Sequence, residues 1–173
     1  MKLSKYKKFF EEEFHNDIGL PEDYFLLIKR NKKDYKYELT DEQFYGLQPP
    51  FTYKNHKGQL VVKVQKNTNK KLYLVYLTKD LKFDVVPDKS FVDLEFSRRF
   101  YLNIDIETNK SLTVTPYIVP YNKIGKKKME KITRPMQFFE VDEDVIKLRL
   151  VFKVSGHGNF IIRSITRRDT DVS

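Results

Sequence analysis

The feature that most limits how this chain can fold is the strict two-residue alternation near its end. Over residues 146 to 154, Ile146, Leu148, Leu150, Phe152 and Val154 share one parity, while Lys147, Arg149 and Lys153 fall on the other. Successive side chains of an extended strand point to opposite faces, so this pattern builds a strand with one apolar face. The next run, "NFIIRSIT" at 159 to 166, follows Ser155-Gly156-His157-Gly158. Two glycines so close supply the backbone torsions of a tight turn, and the pair reads as a hairpin with His157 exposed at its tip. A lone loop histidine has no neighbour to tune its protonation, which makes it a corner rather than a catalytic group.

The same period runs back along the chain. "FYLNIDIE" sends Phe100, Leu102, Ile104 and Ile106 one way and Tyr101, Asn103, Asp105 and Glu107 the other. "SLTVTPYIVPY" at 111 to 121 alternates too, with Pro116 and Pro120 confining it to an edge or bulged position. "QLVVKVQ" and "KLYLVYLT" flank the polar "KNTNK", which suits a hairpin, and "SFVDLEF" and "MQFFEV" read as further short strands. Helical spacing occurs at the start, where Leu3, Tyr6, Phe10 and Phe14 form one stripe before Gly19 and Pro21. "TDEQFYG" at 40 to 46 offers at most a helical turn, and Pro49-Pro50 marks a bend.

About eight or nine short strands at spacings of roughly ten residues favour an antiparallel arrangement over a parallel sheet with intervening helices. The expected fold is mainly β: a jelly-roll-like β-sandwich over residues 23–173, preceded by a short N-terminal helical extension over residues 1–22.

The 173 residues include no cysteine, which excludes disulfides, thiolate zinc sites and a cysteine nucleophile. No apolar run is long enough for a membrane span, and Glu11 to Glu13 interrupt the basic N-terminus where a signal peptide would be apolar. A soluble cytoplasmic protein is expected, and "RRDTDVS" reads as linker as readily as terminus. Neither phosphate-binding glycine loops nor metalloprotease or serine-hydrolase motifs occur, and His15, His56 and His157 lie in unrelated contexts. No cofactor is expected. A structural calcium on loop carboxylates such as Asp142, Glu143 and Asp144 is the one metal the sequence accommodates.

Two clusters carry binding chemistry. Tyr101, Tyr117 and Tyr121, with Asn103 and Asp105 beside them, offer flat rings for sugar C–H groups and directional partners for sugar hydroxyls. The basic segment "KIGKKKMEKITR" places Lys126, Lys127, Lys128, Lys131 and Arg134 in one polar stretch of a chain with net charge +9. It reads as a solvated loop or, alternatively, as a phosphate-binding cluster beside stacking rings.

The order "VDLEFSRRFYLNIDIE", "LTVTPYIVPYN", a variable polar loop and "FFEVDEDVIKLRLVFKVSGHGNFIIRSI" resembles carbohydrate-binding-module-like domains of the galactose-binding-type β-sandwich. The resemblance covers about half the chain. It implies a long penultimate strand at 146 to 154, a Gly-x-Gly turn, and a last strand at 160 to 165 that closes the sandwich. It also implies a non-catalytic module that binds glycan or a glycan-handling partner, as an accessory domain of surface-polysaccharide or glycosyltransferase machinery. This chain departs from many sugar-binding members in having no tryptophan. Two alternatives are a nucleic-acid-binding protein of OB-like or phage regulatory type, using the basic cluster, and a protein–protein adaptor docking through Phe9, Phe10 and Phe14.

Overall fold

In the computed structural model, which describes residues 34–66, 71–78 and 82–170, eleven strands form two antiparallel sheets. They are β1 (Asp34–Lys36), β2 (Phe44–Tyr45), β3 (Phe51–His56), β4 (Gln59–Val64), β5 (Leu72–Tyr76), β6 (Arg99–Thr108), β7 (Leu112–Tyr121), β8 (Glu130–Lys131), β9 (Met136–Glu140), β10 (Lys147–Gly156) and β11 (Gly158–Asp169). One sheet has the order β3-β4-β11-β6-β9, with β1 also on β11, and the other β2-β5-β10-β7-β8. The expected N-terminal helix lies outside the described residues, as does "YFLLIK" at 24 to 29, whose apolar run reads as a further short strand.

The alternating sequences behave as their parity requires. Leu148, Leu150, Phe152 and Val154 of β10 face Phe100, Leu102, Phe160 and Ile162 of the other sheet in one apolar core. The parity of β11 changes once, at Arg163, where the register against β6 slips between Ile162 and Ser164. This bulge lets both Ile162 and Ile165 reach the core.

Two expected hairpins turn out to be crossings between sheets. β4 and β5 lie in different sheets, and so do β10 and β11. The Gly-His-Gly turn therefore carries the chain across the sandwich edge. A side chain on Gly156 (φ +95°) would run into the Ser111 carbonyl, and one on Gly158 (φ +133°) into Asn109. The glycines are needed for close passage over the 109 to 111 turn as much as for torsion. A tight hairpin does join β3 to β4, at Lys57-Gly58 with φ 50° and 78°. "SFVDLEF" forms no strand. The amides of Phe96 and Ser97 turn back to the Asp93 carbonyl, while Phe91, Val92 and Leu94 still enter the core. Pro116 and Pro120 pair with Phe152 and Leu148 of β10, and their carbonyls accept from Ile132 and Lys127 on the opposite side, so the missing N–H groups face the sheet margin.

A polar cluster closes one end of the core. Arg167 donates from Nε and Nη2 to the two oxygens of Asp169 (2.8 and 3.2 Å) and from Nη1 to the Tyr37 hydroxyl. Ser97 donates to Asp169 (2.6 Å), and Tyr37 donates to the Phe91 carbonyl (2.7 Å). Burial pushes the Tyr37 phenol up to about 12, against the opposing charge of Arg167. The folded state thus holds this proton when an unfolded tyrosine, titrating near 10, has lost it. Stability is full below about pH 10 and falls between about pH 10 and 12, by about 2–3 kcal/mol from this group. Burial raises Tyr76 in the same direction. Phenolate absorbance should accordingly show late-titrating tyrosines, and Tyr37→Phe should flatten the alkaline slope of urea-unfolding free energies.

Candidate functional site

The outer faces of the two sheets differ. On the five-stranded sheet, Val75, Val119, Tyr121 and Val151 form a second small core beneath Phe83 and Val86. Arg149, fully buried, fixes this cover by donating from Nε to the Tyr121 hydroxyl (2.9 Å), from Nη1 to Thr78 (3.1 Å) and from Nη2 to the Val85 carbonyl (3.0 Å).

On the six-stranded sheet, strand register assembles a grid from β11, β6 and β9. One row is Arg168, Tyr101 and Phe138; the next is Thr166, Asn103 and Met136; a third pairs Ser164 with Asp105. Tyr101 and Phe138 lie 5.2 Å apart at 55°, and with Met136 they stay 39–50% exposed. Arg163, at the bulge, pairs with Glu107 (2.5 Å) and bounds the face at the far end. With strands about 4.8 Å apart and same-face residues about 6.7 Å apart, the grid measures about 10 by 14 Å, roughly two or three sugar rings long. An apolar aromatic strip thus adjoins an amide, a carboxylate and two hydroxyls, all able to make directional hydrogen bonds.

Tyr101, Asn103 and Asp105 therefore come together, as β-strand parity dictates. Tyr117 and Tyr121 do not join them. Tyr117 lies half-buried on the outer face of the five-stranded sheet between Val151 and Lys131. Tyr121 is fully buried, donating to the Phe83 carbonyl while accepting from Arg149, so its ring has no free face for a ligand. Sequence reasoning missed Phe138, Met136, Thr166 and Ser164. The parity of "MQFFEV" was legible, but nothing local says which strand lies beside which.

The basic cluster is spread over a loop and β8. Lys126, Lys128, Lys131 and Arg134 are exposed, while Lys127 bonds Asp142 (3.1 Å) and Asp144 (2.8 Å). These contacts raise the lysine and hold the Asp144 carboxyl below its ordinary value, chiefly through their mutual hydrogen bond. Among the described residues, no three metal-ligating side chains cluster, and no helix is long and apolar enough to cross a membrane. His157 is exposed at the sheet crossing.

No protein-family model matches the sequence, and no curated protein sequence does. Solved structures are similar in fold. A chain of the glycosylation-associated protein complex from Streptococcus agalactiae matches with TM-score 0.54 at 10% identity, over 80% of this chain and 45% of that one. A Clostridium thermocellum endo-1,4-beta-D-xylanase chain, comprising CBM22-1 and GH10 modules complexed with xylohexaose, matches with TM-score 0.51 at 9% identity. That match spans 82% of this chain and 29% of the other. The fold is carbohydrate-binding-module-like. The module-like sandwich spans less than half the length of either matched chain.

Proposed function

We propose that this chain is a non-catalytic accessory module of glycan-handling machinery, and that the outer face of its six-stranded sheet takes the glycan. The observation that carries this reading is the exposed Tyr101–Phe138 pair beside Asn103, Asp105, Ser164 and Thr166 on one outer sheet face, while the opposite outer face is clad by its own loop. Sugar C–H groups lie on the rings, and the polar row meets ring hydroxyls. The similar folds support it: one belongs to a glycosylation-associated complex, the other to a xylanase with a bound xylooligosaccharide. The same face also suits a glycan-handling protein, a second reading that the first of those neighbours favours.

Isothermal titration against neutral and acidic oligosaccharides tests the glycan reading. Tyr101→Ala should weaken binding about tenfold, the scale of one lost aromatic contact, with the fold unchanged because the ring is exposed. Lys126→Glu and Lys128→Glu should leave affinity unaltered. Absence of any binding across the panel would move the face to the protein-partner reading, and an unaffected Tyr101→Ala variant would remove the face from the proposal.

A further inference from the structure

We propose that β9 is the docking edge for an extended segment of a partner protein, which adds to the six-stranded sheet and places alternate apolar side chains in the cleft beside it. The hydrogen bonds flanking this strand set its alternation. Val141 donates to Arg98 O, and Ile104 donates to Pro135 O, on the same register that pairs Phe100 with Phe139. In an antiparallel ladder the hydrogen-bonded pairs recur every second residue, so Gln137 and Phe139 turn their backbone toward β6. The N–H and C=O groups of Met136, Phe138 and Glu140 face away from β6, where among the described residues no strand pairs with them.

Sheet edges of this kind are normally blunted by shortness, lysine or proline. Among the described residues, the other margins of this sandwich follow that rule. β2 and β8 are two residues each, β8 being Glu130–Lys131, and β3 carries Lys54 at its middle. β9, "MQFFE", has five residues with neither lysine nor proline, and presents Met136 (50% exposed) and Phe138 (43%) outward.

A cleft of about 410 Å³ adjoins this strand, with Ile118, Pro120, Phe139, Val141 and Val145 as its apolar lining. Unpaired main-chain groups with a pocket for every second side chain are the two requirements of strand addition, the first giving affinity and the second specificity. The cleft rim sets Glu130, Glu140 and Asp142 against Lys127 and Lys128, and Lys127 is already matched by Asp142 and Asp144. Burial, and then the Asp142 charge, pushes the Glu130 carboxyl up. The fitting segment is thus extended, apolar at alternate positions, with a lysine or arginine beside them.

The test uses the full chain and an array of nine-residue peptides with alternating valine and leucine, with and without a flanking lysine, followed by fluorescence polarisation on the tightest. Backbone N-methylation of the peptide at one parity should abolish binding and at the other should not. Phe138→Pro removes an edge-facing N–H that β6 does not use, and should weaken binding about tenfold or more, beyond the loss in Phe138→Ala, which keeps the amide. Tyr101→Ala should leave peptide binding intact, which separates this edge from the glycan face. No binding by any peptide, or equal tolerance of N-methylation at both parities, would overturn the proposal. Concentration-dependent dimerisation abolished by Phe138→Pro would assign the edge to a second copy and overturn it also.

Discussion

Arg149→Ala is expected to lower the unfolding free energy by about 3–5 kcal/mol, the joint cost of buried acceptors left short of a donor and of the cavity opened by a large buried side chain. The guanidinium reaches the Tyr121 hydroxyl, Thr78 and the Val85 carbonyl, and lies 5.4 Å from the Tyr121 ring centre and 5.7 Å from that of Phe83. Alanine leaves those acceptors short of a donor inside an apolar layer, opens a cavity, and unpins the loop that covers Val75, Val119 and Val151. For a chain of 173 residues, the melting temperature should drop by roughly 10 °C. Arg149→Met should lose less, because it refills the volume, and the difference between the two variants measures the cavity share. Dye binding to exposed apolar surface should rise in Arg149→Ala, since the outer face of the five-stranded sheet would then lose its cover while its inner face stays in the core. Glycan affinity at the Tyr101 grid should be unchanged in whatever fraction remains folded. A loss below about 1 kcal/mol would mean that the loop is held by its apolar contacts alone.

That a polar-parity arginine is buried at all marks where sequence reading stops. Parity places Arg149 correctly on the face opposite Leu148 and Leu150, but its burial comes from Phe83 and Val86, more than sixty residues earlier and in no regular element. The same reasoning explains Tyr121, whose parity matches that of Tyr117 and whose surroundings do not. Conversely, Tyr101, Asn103 and Asp105 needed only one strand to be placed together, and one strand is what a two-residue period specifies. The sandwich class was legible because alternation repeats in segment after segment. Strand partners were not legible: "KNTNK" and Gly-His-Gly look like hairpin turns, yet the strands they join pair with strands far away in sequence. Local turn chemistry permits a reversal without fixing whether the returning strand lies beside its predecessor or across the core from it. β3 escaped notice because only Phe51 on it is buried, so its apolar period is too weak to read.

Asp169→Ala should be comparably damaging, about 3–5 kcal/mol, for a related reason with a different signature. Arg167, 7% exposed, would keep its charge beside Tyr37 with no carboxylate within reach of Nε and Nη2, while the Ser97 hydroxyl would lose its acceptor. Replacing both partners, as in Arg167→Met with Asp169→Leu, should recover part of the loss, because the uncompensated buried charge rather than the missing bond dominates the single variant. The alkaline limb supplies an independent check. The Asp169 charge helps hold the Tyr37 phenol up, and Arg167 opposes it, so removing the carboxylate lets the guanidinium pull the phenol down from about 12. Stability in Asp169→Ala should then stop falling at a lower pH than in the parent, a narrower window above about pH 10. An unchanged alkaline limb together with a small loss at neutral pH would show that Arg167 finds a new anion or water at the rim, and that the cluster closing this end of the core is not held by its ion pair.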